Sequence, residues 1–127
     1  MTGVPRRSAT DRGLGRPNEP PVLILTSLAA GSKHGYALTK DIEVFAGVTL
    51  GPGTLYGALA RLEERGLIEP DPDGLGSRRR PYRITASGRV ALEQAVRTMR
   101  SLADVGARRL GLGPEPGAGF PVAGARA

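Results

Sequence analysis

The chain has 127 residues, a formal net charge of +6 at pH 7, one histidine and no cysteine. This length allows one domain with a modest core, and the composition excludes disulfides, thiolate metal sites and His-rich metal clusters. No apolar run long enough for a membrane helix and no secretory signal is visible, so we expect a cytoplasmic protein without membrane contact. The basic balance suggests a polyanionic partner, although charge alone fits a solvated surface equally well.

The two ends of the chain are poor in bulky apolar side chains. Residues 1–18 and 111–127 contain mainly Gly, Pro, Arg, Ala and Ser. Such segments cannot bury enough surface to offset the entropy lost on ordering. We therefore predict a disordered basic N-terminal tail and a disordered C-terminal tail.

Two short helices open the ordered part of the chain. We expect Asn18 to cap the first helix, with Pro20 and Pro21 in its first turn, where amide hydrogens lack helical partners. The second helix is predicted from about Tyr36 to Ala46. Three apolar residues at steps of four and three predict its buried face: Leu38, Ile42 and Phe45.

The third helix has a clear start and a clear end. Gly51 suits the cap position, Pro52 suits the first helical position, and Gly66 ends the helix. Three leucines form the expected buried stripe: Leu55, Leu59 and Leu62. The opposite side carries Thr54, Gly57 and Arg61, and small or polar residues there permit close approach to another molecule.

A two-strand ribbon follows. We predict strands over 67–69 and 81–84, with a turn at 71–74 between them. An arginine cluster lies on this ribbon and its tip: Arg78, Arg79, Arg80 and Arg83. No acidic residue occurs between positions 74 and 92, so these cations act in one local field. Exposed arginines also deter strand-to-strand aggregation, which is the alternative explanation for them.

The last helix is predicted over 85–110, with Thr85 as its cap and Gly88 slightly weakening its first turn. A near-heptad stripe runs along it: Leu92, Val96, Met99, Leu102, Ala103 and Leu110. Because the C-terminal tail is not apolar, we expect the same helix of a second subunit to cover the stripe. The alternative is that the helix folds back on its own domain.

These elements predict a mainly α fold with a small β wing, a winged helix-turn-helix at 19–84 plus a C-terminal dimerisation helix at 85–110. The third helix would enter the major groove of double-stranded DNA, and the ribbon would reach a neighbouring groove or the backbone. Base contacts are expected from Thr54, Tyr56 and Arg61. The other predicted DNA contacts lie on the ribbon: Ser77, Arg78, Arg79, Arg80 and Arg83. A symmetric dimer implies an inverted-repeat operator.

The other polar residues do not form a pattern that is typical of an enzyme active site. The acidic residues of the helices are expected to form surface ion pairs, and we find no nucleophile–base pair, no phosphate-binding glycine loop and no cofactor site. His34 is interpreted as a turn residue. We expect Tyr36 to pack in the core, Tyr82 to pack against the domain, and Tyr56 either to contact DNA or to cover the leucine stripe.

Three segments together resemble the PadR family of transcriptional regulators. They are His-Gly-Tyr at 34–36, Gly-Thr-Leu-Tyr at 53–56 leading into Arg-Leu-Glu-Glu-Arg-Gly-Leu-Ile at 61–68, and Tyr-Arg-Ile-Thr-Ala-Ser-Gly at 82–88. The resemblance covers about 20–110. It implies a dimeric repressor that a small-molecule effector or another signal releases from DNA. Some members stack flat ligands on a Trp of the last helix; this chain contains no Trp.

Two other functional classes compete with this interpretation. A winged domain can serve as a protein-interaction module without sequence-specific DNA binding, since a fold alone does not fix function. A basic RNA-binding protein is the other, but such proteins stack bases on aromatic side chains, and this chain has only three Tyr and two Phe.

Overall fold

The computed structural model describes residues 13–74 and 79–113. The helices and strands, in chain order, are α1 (Pro20–Ala29), α2 (Gly35–Ala46), α3 (Pro52–Glu64), β1 (Ile68–Pro70), β2 (Tyr82–Ile84) and α4 (Ala86–Leu110). A short 3-10 turn, Pro72–Gly74, follows β1. The predicted mainly α fold with a small two-strand sheet is confirmed. The tail predictions for 1–12 and 114–127 concern residues outside those described.

The core of the domain is built around α1. This helix packs against α2, α3 and β2. It is apolar on most sides, and Ile24 and Leu25 have no exposed surface at all. The three leucines of the predicted α3 stripe are buried against this core, as expected: Leu55, Leu59 and Leu62. Leu14 is also buried, so the packed chain begins before the predicted boundary at residue 18.

Glycine and proline residues mark several of the helix ends. Gly51 and Pro52 begin α3 as predicted, and Gly47 ends α2 in the left-handed region with φ 68°. The prediction that Asn18 caps α1 was wrong, because the cap residue is Glu19 and no side chain bonds the first turn. Two prolines at the start of α1 remove two amide donors, which leaves less for a cap to satisfy.

Two aromatic side chains of α2 do not lie where the sequence predicted. Tyr36 is 65% exposed and Phe45 is 44% exposed, whereas both were expected to pack in the core. Leu38 and Ile42 are fully buried, and α2 packs against α1 and α3. Tyr36 points outward instead, and the ammonium of Lys40 lies 5.6 Å from its ring centre.

The wing is a two-strand antiparallel sheet with an added bridge. Ile68 pairs with Ile84 and Pro70 with Tyr82. On the other edge of β2, Tyr82 and Lys33 exchange two backbone hydrogen bonds, with N–O distances of 2.9 and 3.1 Å. The wing strand is therefore joined to the connection between α1 and α2.

The helix α4 begins on the wing. Thr85 caps it as predicted: its hydroxyl accepts from the Gly88 amide and donates to the Gly66 carbonyl, at 3.0 and 2.7 Å. Gly88 is buried, and a β-carbon there would collide with the carbonyl oxygen of Leu67. The glycine that the sequence suggested as a weakness is thus required for close packing. The chain divides into two compact units after Ala95, and the second contains the remainder of α4.

Candidate nucleic-acid interface

The outer face of α3 is open to solvent. Thr54 and Arg61 are exposed, and Tyr56 is 54% exposed. All three side chains predicted to contact bases are accessible, on a helix whose opposite side is locked in the core. Gly57 lies between them and is half-buried, with Nη1 of Arg61 3.6 Å from where a β-carbon would be.

The wing arginines differ from one another. Arg79 and Arg80 are exposed. Arg83 forms a cross-strand ion pair in which its Nε lies 2.7 Å from Oε2 of Glu69. Positions 74 to 92 contain no acidic residue, but the acidic partner, Glu69, belongs to the neighbouring strand and lies opposite Arg83. Ser77 and Arg78, also predicted to contact DNA, lie outside the described residues.

The turn that leads to the wing tip is held by an aspartate. Asp71 accepts a hydrogen bond from the backbone amide of Asp73 at 3.0 Å. The Ser32 hydroxyl, and secondarily the Asp73 amide, lower the pKa of the Asp71 carboxyl. The carboxylate therefore stays ionised and tied to this turn, close to the arginine cluster in sequence.

A buried polar contact joins α1 to α2. Ser27 is fully buried and its hydroxyl donates to Asp41 at 2.6 Å. The ammonium of Lys33 donates to the Ser27 carbonyl, also at 2.6 Å, and lies 4.0 Å from the Asp41 carboxylate. Since buried polar groups require partners, this cluster fixes how α2 sits on α1. It also anchors Lys33, whose backbone holds the wing.

An open pocket of about 540 Å³ separates the start of α2 from the wing. All three tyrosines of the chain line it, with its single histidine, Gly35, Arg79 and Arg80. The His34 side chain caps α2, since its Nδ1 accepts from the Ala37 amide at 3.4 Å. Its Nε2 lies 3.3 Å from Nη1 of Arg79. The interpretation of His34 as only a turn residue was incomplete.

The predicted dimerisation stripe on α4 is only partly covered. Leu102 and Leu110 are 73% and 76% exposed, and Ala103 is exposed. Leu92, Val96 and Met99 are half-buried. Within the described residues, Gly88 is the only α4 residue that is fully buried. The apolar stripe thus remains largely available for a contact outside this chain.

Neither a metal site nor a membrane helix is found in the described part of the chain. No group of three or more His, Cys, Asp or Glu side chains is placed to hold a metal ion there. Among the described helices, none combines the length and apolarity needed to cross a bilayer.

Comparison with known proteins decides the family. The model of the transcriptional regulator PadR-like family matches residues 24–94, which is more than half of the chain. The chain belongs to the PadR-like family of transcriptional regulators. A PadR-like chain of this kind is a DNA-binding regulator with a winged-helix fold.

Two curated proteins are similar to this chain, and one of them is named a transcriptional regulator. The PadR-like chain is 40% identical over 81 residues to the transcriptional regulator Rv3488 of Mycobacterium tuberculosis, which covers 63% of this chain and 75% of that protein. It is 45% identical over 87 residues to an uncharacterized 37.1 kDa protein in transposon TN4556 of Streptomyces fradiae, which covers 68% of this chain. The match spans only 25% of that transposon protein.

Solved structures share the fold. A PadR family transcription regulator from hypervirulent Clostridium difficile superposes with a TM-score of 0.61 at 29% identity, covering 71% of this chain and 96% of that one. A transcriptional regulator from Clostridium thermocellum gives 0.60 at 31% identity, covering 69% and 86%. The PadR-like assignment therefore rests on sequence and fold together.

Proposed function

We propose that this protein is a homodimeric, sequence-specific repressor that binds an inverted-repeat operator in double-stranded DNA. The observation that carries the proposal is the exposed α3 face with Thr54, Tyr56 and Arg61, beside a wing that presents Arg79 and Arg80. A helix with small and polar residues fits the major groove, and guanidinium groups fit phosphates. The family membership supports the regulatory role.

Each side chain would have a distinct task. Arg61 would read a base edge, Thr54 and Tyr56 would contact bases or the adjacent backbone, and Arg79 and Arg80 would neutralise phosphates. Arg83 would contribute less, because Glu69 already neutralises it. Ser77 and Arg78 remain predicted contacts of the wing tip.

Two copies are needed to read an inverted repeat. The exposed apolar stripe of α4, with Leu102 and Leu110, supports self-association through this helix. The test is analytical ultracentrifugation of the full chain and of Leu102→Glu. We expect a dimer for the wild type and a monomer for the variant; a wild-type monomer at micromolar concentration would contradict the proposal.

DNA binding is tested by fluorescence anisotropy with the duplex upstream of the protein's own gene. We expect tight binding that weakens steeply with salt, because phosphate neutralisation releases counterions. A scrambled duplex of equal composition serves as the control. Equal affinity for both duplexes would contradict sequence-specific regulation and would favour a protein-interaction module.

The wing is tested by removing two charges at once. In Arg79→Ala/Arg80→Ala, we expect weaker binding to every duplex. The slope of log K against log salt should become less negative by about 2. The matched control is Arg108→Ala/Arg109→Ala, which removes two exposed arginines from the last turn of α4. An equal loss in both double variants would show that net charge, rather than the wing, sets the affinity.

Repression and release by a small molecule are the finer parts of the proposal. Their support is the resemblance to PadR regulators. In vitro transcription from the upstream promoter tests the sign: we expect fewer transcripts as protein is added. More transcripts would identify an activator that binds the same DNA.

A further inference from the structure

The pocket between the start of α2 and the wing is lined mainly by residues whose side chains can form hydrogen bonds. The whole sequence has three tyrosines and one histidine, and all four side chains line this pocket of about 540 Å³. Arg79 and Arg80 line it from the wing. Phenol, imidazole and guanidinium groups all donate hydrogen bonds, and two of the six groups carry a permanent positive charge. The pocket therefore offers hydrogen-bond donors and two positive charges to an anion.

The hydrogen bonds of His34 sharpen this conclusion. Its Nδ1 accepts the capping bond from the Ala37 amide, and in the ring tautomer that makes this bond the proton is on Nε2. That Nε2–H faces Nη1 of Arg79 at 3.3 Å, and a guanidinium has no acceptor. In this tautomer the imidazole Nε2 and the Arg79 guanidinium both offer a donor, and one anionic oxygen could accept from both.

Tyr56 approaches the same place from α3. Its hydroxyl lies against the first turn of α2, where a side chain at Gly35 would collide with it. Glycine at this position is what allows the phenol to reach the edge of the pocket. Three elements of the fold, α2, α3 and the wing, thus each present a donor to one small volume.

We propose that this pocket binds a single phosphate group, held by the Nε2–H of His34, the guanidinium of Arg79 and the hydroxyl of Tyr56. The same chemistry can come from one phosphodiester of the DNA backbone or from a free phosphate monoester. The DNA source rests on the proposed function above, and the free source does not. His34 would thereby cap α2 through one ring nitrogen and bind the anion through the other.

Two variants separate this role from folding. In His34→Asn, the side-chain oxygen can still cap α2, because Asn is among the best cap residues, but the Nε2–H donor is lost. Tyr56→Phe keeps the ring and removes only the hydroxyl. For each we expect an unchanged thermal midpoint and phosphate-dependent binding that is about tenfold weaker. Arg109→Gln, which removes an exposed charge from α4, is the control for net charge.

The DNA arm uses duplexes in which one phosphate at a time is replaced by a neutral methylphosphonate. For the wild type we expect one position in each half-site where the replacement weakens binding about tenfold. At that position, His34→Asn and Tyr56→Phe should show no further loss, whereas Arg109→Gln should show the full loss. Additive losses at every position would overturn the DNA source.

The free-phosphate arm uses the tyrosines as the probe. With no tryptophan in the chain, intrinsic emission comes from three tyrosines that all line the pocket. We expect inorganic phosphate, added at constant ionic strength, to change this emission saturably in the wild type and not in His34→Asn. A response identical in both proteins would overturn the free source.

The two arms keep the two proposals distinguishable. A phosphate response without sequence-specific DNA binding would contradict the proposed function and leave the pocket assignment standing. Sequence-specific binding with neither a coupled backbone position nor a phosphate response would overturn the pocket assignment alone.

Discussion

The helices α3 and α4 show how the same sequence pattern leads to different structural outcomes. Both carry apolar residues at steps of three and four. In α3, Leu55, Leu59 and Leu62 are all buried. In α4, Leu102 and Leu110 remain mostly exposed. A pattern of this kind predicts that a face must be covered, but not whether the cover comes from the same chain.

The largest expected effect compares one leucine from each helix. Leu59→Ala removes a fully buried side chain, so we expect a loss of about 3 kcal/mol in the free energy of unfolding at every protein concentration. For Leu102→Ala, the shift of the urea midpoint should depend on protein concentration, because the proposed dimer would bury this side chain. A concentration-independent loss for Leu102→Ala would indicate that the stripe is covered within one chain.

A glycine pair tests where α4 is held to the domain. In Gly88→Ala, the added methyl group meets the backbone at Leu67, and we expect a loss of about 2 kcal/mol. Gly106 has no heavy atom near the position of a β-carbon, so Gly106→Ala should stabilise the helix by about 0.5 kcal/mol or more. Thermal unfolding measures both. Destabilisation by Gly106→Ala would show that another chain approaches this glycine closely.

The starts of the two helices differ as well. Thr85 makes two hydrogen bonds at the start of α4, so Thr85→Ala should cost about 1 to 2 kcal/mol. Gly51 begins α3 without a side-chain bond, and its surroundings are open. Gly51→Ser should therefore stabilise the domain by a few tenths of a kcal/mol. If Gly51→Ser stabilised the domain by as much as Thr85→Ala destabilises it, the two helix starts would depend equally on a side-chain cap, which would contradict this comparison.

The smallest expected effect lies outside both helices, in the wing turn. The pKa of Asp71 is lowered in the folded protein, so its contribution to stability is present above the unfolded pKa and is lost as the pH falls through the folded pKa. Carboxyl NMR titration should show a higher Asp71 pKa in Ser32→Ala than in the wild type. An unchanged titration would remove Ser32 as the main cause.

The sequence predicted what depends on neighbours along the chain. Helix periodicity, the Gly51–Pro52 start and the Thr85 cap are local, and all three are confirmed. Two other features depended on residues that are distant in sequence. Phe45 is exposed although its spacing favours burial, and Gly88 is required by a carbonyl more than twenty positions away.

The candidate site divides in the same way. The exposed residues of α3 were predictable, because a buried stripe on one side leaves the other side open. The ion pair of Arg83 with Glu69 and the approach of His34 to Arg79 depend on strand pairing and on the path of the wing. The His-Gly-Tyr motif at 34–36 was visible in the sequence, but only the fold brings it opposite the arginines.

The double attachment of β2 has a consequence for how tightly the protein can bind. The strand β2 pairs with β1 on one edge, and on the other edge Tyr82 exchanges two backbone hydrogen bonds with Lys33. His34 follows Lys33 directly in the chain, so the wing and the start of α2 are held together before any ligand arrives. The spacing between the imidazole and Arg79 is then preorganised, and association loses less conformational entropy than it would with a freely swinging wing.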